Sequence, residues 1–313
     1  MNNLKQHILE FLQASKEQRG LSDNTIKSYQ QDLVEFSRFL ENQTPQPAPS
    51  QKTVMDYLRH MREEKNHKPA TVRRRMVTLR RFFDWRISEH GTASPFSGLK
   101  LDLRIPKRLP HPVDRQTLQQ LFRHATPLVN LATEEPAKMF STLQVTGLAT
   151  RILVATGLRI GELTHLKLND VSGASSRIRV IGKGDRERTV YVTNERLLID
   201  LTAYWQQRVS NSLPSDFLFL NGKGERLTEA AFRKRLRATS RNLQLGEHLT
   251  PHRFRHSAAT LLIEEGVDIR IVQRLLGHAS IATTELYTQV SDNSLFAAIE
   301  RADALGSVDS WER

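Results

Sequence analysis

No cysteine occurs anywhere in the 313 residues. Disulfides, thiol catalysis and cysteine-ligated zinc ribbons are thereby excluded. No apolar run reaches the roughly 20 residues that a bilayer-spanning helix needs. The first residues, Met1-Asn2-Asn3-Leu4-Lys5, contain no signal-peptide core, so a cytoplasmic location is expected. The chain also lacks internal repeats, low-complexity tracts and the GxxxxGK[ST] spacing of a nucleotide P-loop. Positive charge, in contrast, is plentiful. Lys plus Arg number 46 against 34 Asp plus Glu, a net +12, with a pI near 10.2. Such an excess suits a polyanionic partner, most simply nucleic acid, because Lys and Arg on phosphates release counterions. A merely solvated basic surface fits the charge alone equally well.

The length allows two domains, each with a core of its own. The first segment reads as helices only. Ser22 is placed to cap a helix in which Ile26, Tyr29, Leu33, Phe36 and Leu40 recur at three- and four-residue spacing. Three prolines between Asn42 and Ser50 end it, and a second amphipathic stretch runs from about Val54 to Glu64. A further helix carries Val72, Met76, Leu79 and Phe83 on one stripe. Arg73 and Arg74 recur seven residues on as Arg80 and Arg81, and five arginines fall between Thr71 and Arg81 with no acidic residue among them. That edge is expected to face phosphate. Lys107-Arg108-Leu109-Pro110 lies in a basic, proline-containing linker placed at 101–112, which separates a domain of residues 1–100 from one of residues 113–313. In the second domain, Asp114–His124 and Thr142–Ala155 read as helices. Leu166–Val171, Arg177–Val180 and Glu187–Val192 read as strands, the last two joined by a Gly182-Lys183-Gly184-Asp185 turn. Helices follow at Leu197–Arg208, Thr228–Arg241, Pro251–Glu265 and Asp268–Leu276, with short ones around Tyr287 and Ala297. The fold class is mainly α with a small antiparallel sheet.

Six residues carry candidate chemistry. Arg159 follows Thr156-Gly157-Leu158 at an expected junction of two helices, where the glycine lets backbone approach an anion. Thr250 and Pro251 suit a helix start, which puts His252 in the first turn and Arg255 on its face, at an end that already favours phosphate. His252 and His256 have the spacing of zinc ligands, but the Glu of a metalloprotease motif and further nearby ligands are absent. No metal is expected, and His256 is expected to pack inside its helix. Leu276-Gly277-His278 reads as a helix end with Gly277 as the left-handed cap. Taken singly, His278 fits a capping histidine and Tyr287 fits a core tyrosine. Lys183, between two glycines on a hairpin, is free to reach a reacting group. Together they supply guanidinium forks for phosphate, imidazoles that move protons near neutrality, and a phenol able to attack.

The series Thr156-Gly157-Leu158-Arg159-Ile160-Gly161-Glu162, Thr250-Pro251-His252-Arg253-Phe254-Arg255-His256, Leu276-Gly277-His278 and Thr283-Thr284-Glu285-Leu286-Tyr287 resembles the tyrosine recombinases of the Xer and phage-integrase type. The likeness covers nearly the whole chain. It implies a four-helix, SAM-like core-binding domain followed by a mostly helical catalytic domain. It implies that Arg159, Arg255 and His278 grip the scissile phosphate, with Glu162 as a buttress for Arg159. Tyr287 then becomes the nucleophile, His252 its base and Lys183 the acid. The implied product is a 3′-phosphotyrosine, and strand exchange passes through a Holliday junction without ATP or metal. The implied partners are double-stranded DNA with paired inverted half-sites and a homotetramer, or a heterotetramer with a related recombinase. Arg73, Arg74, Arg80, Arg81, Lys107 and Arg108 would bind DNA, and the two domains would clamp it. A helix after Tyr287, with Leu295, Phe296, Ile299 and Ala302 on one face, would either pack on its own domain or, as the resemblance implies, dock on the neighbouring protomer.

Two stretches depart from the Xer pattern: a longer segment at Thr126–Gln144 and a tail after Tyr287 without the customary ending. Chromosome-dimer resolution and mobile-element integration or excision therefore both stay open. Two other activity classes stand beside recombination. A type IB topoisomerase shares the catalytic residue types, and a non-catalytic DNA-binding regulator would need the charge but not the tyrosine.

Overall fold

The structure is a computed structural model. It describes residues 2–43, 49–103, 112–124, 141–171, 176–182, 187–211, 215–277, 296 and 299–303. The chain divides into two compact units, Met1–Arg108 and Leu109–Arg313, each around its own apolar core.

Among the described residues of the first unit, four α-helices form: α1 (Asn2–Glu17), α2 (Asp23–Glu41), α3 (Gln51–Arg59) and α4 (Pro69–His90). Ser22 caps α2 by accepting from the Thr25 amide, as its sequence position predicts. A Ser50–Thr53 capping box starts α3, which runs on into a π turn over His60–Glu64. Gly91, at φ 60°, ends α4 in the left-handed conformation. The predicted stripe of Val72, Met76, Leu79 and Phe83 is buried, joined by Phe82 and Trp85. The core is largely aromatic. Phe36 meets Phe83 edge to face at 6.1 Å and Phe11 meets Phe82 at 5.5 Å, geometries that the ring quadrupoles favour.

The second unit holds α5 (Arg115–His124), α6 (Thr142–Thr156), α7 (Ile160–His165), β1 (Arg177–Ile181), β2 (Glu187–Tyr191), α8 (Glu195–Ser210), α9 (Glu229–Asn242), α10 (Pro251–Glu264) and α11 (Ile269–Leu276). Every residue of α6 from Val145 to Thr156 is buried. A helix buried on all sides belongs in the middle of a domain, and α6 packs against α5, α8, α9 and α10. Arg151, on this helix, pairs with Asp200 of α8 at 2.5 Å. The strands pair antiparallel from Arg177↔Tyr191 to Ile181↔Glu187, so the predicted hairpin forms.

The predicted strand at Leu166–Val171 does not. Its middle is a 3-10 turn at Leu168–Asp170, flanked by single bridges from Lys167 to Phe217 and from Val171 to Ile178. The Asp170 carboxylate accepts from the Lys167 amide at 2.9 Å, a local bond that competes with a strand ladder. Farther on, Ile299 and Ala302 lie buried in the core of this unit, and the Phe296 ring stands edge-on to Tyr191 at 5.1 Å. Among the described residues, no helix is long and apolar enough to cross a membrane.

Candidate active site

The site is assembled where three helix ends meet. Gly157 terminates α6 at φ 64°, and a Cβ there would lie 2.4 Å from Leu276 Cδ2 at the end of α11. Only glycine permits both the backbone conformation and the contact. Two residues on, Arg159 caps α7 in an extended conformation, at the helix junction the sequence predicts. Its amide donates to Glu162 Oε2 at 2.8 Å and its Nη1 to Glu162 Oε1 at 3.0 Å. Its Nη2 donates to the Gly277 carbonyl at 3.1 Å.

Glu162 is shared. Arg188, on β2, donates to both of its oxygens at 2.8 Å, a bidentate fork on a buried carboxylate. Burial alone would raise the Glu162 pKa. The bonds from Arg188, the Arg159 amide and the Arg159 side chain outweigh it and hold the value below the ordinary carboxylate range. One ionised carboxylate thus positions two guanidinium groups. Sequence reading had Glu162 beside Arg159 but missed the role of Arg188. Its one signal is its place on the second strand of the hairpin, next to Glu187.

Arg255 lies in α10, three residues after His252, and is buried. Its Nη1 donates to the Gly157 carbonyl at 2.6 Å and its Nη2 to the Leu276 carbonyl. Burial, and then the nearby Arg159 charge, draw its pKa down to about 10. Arg159 and Arg255 therefore hang on the consecutive carbonyls of Gly277 and Leu276. These groups end α11, where the helix dipole is negative and unpaired carbonyls accept cations. That negative end offsets the repulsion between the two neighbouring charges.

His252 is exposed in the first turn of α10. With Arg159, Glu162 and Arg188 it lines a cleft of about 690 Å³, together with Gly182 and Gly277, which directly precede Lys183 and His278 in the chain. Lys183, His278 and Tyr287 themselves lie outside the described residues, as do Lys107 and Arg108. Arg255 sits out of the cleft lining, with its fork on the two carbonyls. His256, expected to be packed, is exposed instead. Its neighbours Arg255 and Ser257 are buried, so the helix turns its inner face away from position 256.

In the first unit, Arg73, Arg74, Arg80 and Arg81 are all exposed on α4. They differ in what holds them. Arg74 donates to the buried Asp32 at 2.5 Å, and Arg81 donates to the Tyr29 hydroxyl. Arg80 donates to the Leu99 carbonyl at 3.3 Å and lies over the Phe96 ring. Arg73 and Arg80 line one cleft of about 520 Å³. Arg75, the fifth of the run, is buried beside Asp32.

Residues 113–294 match the phage integrase family, and residues 8–90 match the phage integrase N-terminal SAM-like domain. The chain belongs to the phage integrase family of tyrosine recombinases. Membership makes it an enzyme of site-specific DNA recombination. The tyrosine recombinase XerC of Staphylococcus aureus (strain JH9) is 32% identical over 304 residues, covering 92% of this chain and 94% of that protein. Two solved structures share the fold. The XerH recombinase bound to palindromic difH substrate, a post-cleavage complex, aligns with a TM-score of 0.67 at 22% identity, over 93% of this chain and 83% of that one. The Tn1549 transposon integrase with circular intermediate DNA aligns at 0.64 and 21%, over 94% and 99%.

Among the described residues, metal-ligand residue types converge at His7, Glu10 and His90 of the first unit. The two imidazole rings stack at 3.7 Å, and Arg86 Nε donates to His7 Nδ1 at 3.1 Å. A guanidinium against one ligand nitrogen opposes a cation there.

Proposed function

We propose that the recombinase cuts and rejoins DNA through a 3′-phosphotyrosyl intermediate and a Holliday junction. Tyr287 attacks the scissile phosphorus, forming a P–O bond to tyrosine as the P–O5′ bond breaks. His252 takes the phenol proton, and Lys183 gives a proton to the leaving 5′-oxygen. Arg159, Arg255 and His278 bind the non-bridging oxygens as charge builds on them. The phosphotyrosine conserves the bond energy, so the reverse step on a partner strand needs neither ATP nor metal. The observation that carries this reading is the pair of guanidinium groups on the Leu276 and Gly277 carbonyls, with His252 and Arg159 in a common cleft. Paired, preorganised donors are what a phosphoryl transfer step requires, since positioning and charge stabilisation supply most of its catalysis. Four protomers on two duplexes with inverted half-sites are the assembly this chemistry calls for. The arginines of α4, with Lys107 and Arg108, contact backbone phosphates.

A nicked suicide substrate tests the assignment. Tyr287→Phe keeps the side chain's shape and removes the attacking oxygen. It is expected to bind target DNA normally and to form no SDS-resistant complex, while the unaltered protein forms one at full rate in EDTA. A covalent adduct from Tyr287→Phe overturns the nucleophile. Plasmid lacking a target separates the topoisomerase reading, because a recombinase leaves its supercoils in place.

A further inference from the structure

Among the buried arginines, Arg75 and Arg151 lie against carboxylates, Asp32 and Asp200, and Arg255 spends its fork on two carbonyls. Arg208, at the end of α8, differs from these three in a terminal nitrogen left without a partner. It is only 5% exposed. Its Nε and Nη2 donate to the carbonyls of Leu218, Ser215 and Phe217 at 2.9–3.2 Å, while its Nη1 is buried without a partner. Arg235, on α9, also has a buried and unpartnered Nη1. Burial lowers the pKa of both guanidinium groups, and it raises that of the neighbouring Tyr204 to about 12, which keeps the phenol protonated.

These groups share one recess of about 60 Å³, lined also by Thr142 in the first turn of α6 and by Asn211 and Asn221. No carboxylate lines it among the described residues. A buried guanidinium beside a half-buried one, with no counter-charge among the described residues, is costly, and the positive end of a buried 15-residue helix adds to the same field. The volume holds roughly four water-sized centres, which suits one tetrahedral oxyanion and is too small for a nucleotide.

We propose that Arg208 and Arg235 form an oxyanion site, taking inorganic phosphate, sulfate or a single phosphodiester group, at the opposite end of α6 from the catalytic cleft. The two sites are separated by the length of that helix, roughly 22 Å at 1.5 Å per residue.

Calorimetric titration of the full chain with inorganic phosphate, at ionic strength fixed with chloride, tests the site. Arg208 holds three carbonyls, so Arg235 is the informative position. The expected result is a saturable site that weakens at least tenfold in Arg235→Gln, recovers in part in Arg235→Lys and persists in Arg159→Ala. Far-ultraviolet circular dichroism checks that each variant is folded. The proposal is overturned if the unaltered protein shows no saturable phosphate site, if binding survives Arg235→Gln, or if Arg159→Ala alone abolishes it. Titration with a duplex of unrelated sequence identifies the source. Unchanged duplex affinity in Arg235→Gln assigns the recess to a free ion, and weakened affinity assigns it to the DNA backbone.

Discussion

Glu162 decides the geometry of the cleft, because Arg159 and Arg188 are both fixed through it. Its folded pKa lies below the ordinary 4.5. A carboxyl of this kind stabilises the fold fully above its unfolded pKa, and the contribution fades as pH falls through the lower folded value. Glu162→Gln is therefore expected to cost about 2–3 kcal/mol near pH 7, the scale of charged hydrogen bonds left unmade. Urea unfolding should show that penalty shrinking below a pH of about 4. An equal penalty at both pH values means that shape, not charge, holds the arginines. Lys183 has a different duty in the proposed mechanism, protonating an alkoxide whose conjugate acid is, like water, a very weak acid. A thiolate needs little such help, its thiol having a pKa near ~8.5. Lys183→Ala should slow cleavage of ordinary DNA by about 10²–10⁴-fold. With sulfur at the scissile 5′-bridging position it should cleave nearly as fast as the parent, whereas Arg159→Ala should gain nothing. Rescue of both variants, or of neither, assigns the acid elsewhere.

At the scale of elements, most of the fold was legible because periodicity and caps agree. The stripe Val72–Phe83 and the caps Ser22, Thr250 and Gly277 each rest on interactions within a few residues. The candidate site was legible as residue types in order, with Arg159 at a helix junction and Arg255 one turn after His252. Its wiring was not. Arg255 reaches Gly157 and Arg188 reaches Glu162 across distant chain segments, and no local pattern encodes such partners. The strand expected at Leu166–Val171 failed for a related reason: the apolar residues suit a strand, but Asp170 folds back on Lys167. The tail poses the sharpest question for an element. Within one chain, Ile299 and Ala302 pack on their own domain. Docking on a neighbouring protomer, which the family resemblance implies, requires that face to change partners. Deleting Ser294 to Arg313 should preserve binding to a single half-site and abolish cooperative filling of two adjacent half-sites in gel-shift titrations. Unchanged cooperativity makes the tail a purely intramolecular brace.

The molecule as a whole carries +12, and charge of that size acts on DNA through counterions released from phosphates. Each phosphate contact adds about 0.9 to the slope of log affinity against log salt. The arginines proposed to bind DNA on α4 are not expected to contribute equally, because the fold has already engaged some of them. Arg74 is bound to Asp32, which is fully buried and also accepts from Thr78 at 3.0 Å. Removing Arg74 leaves a buried carboxylate short of a donor, so Arg74→Ala should lower the melting temperature. Arg73 and Arg80 line an open cleft. Arg73→Ala and Arg80→Ala should each weaken binding to every duplex alike and reduce the salt slope by about 1, without a comparable loss of stability. Fluorescence anisotropy of a duplex of unrelated sequence, titrated from low to moderate salt, measures the slope directly. A slope untouched by both substitutions places that edge of α4 on a solvated face and moves the DNA contacts of the first unit elsewhere.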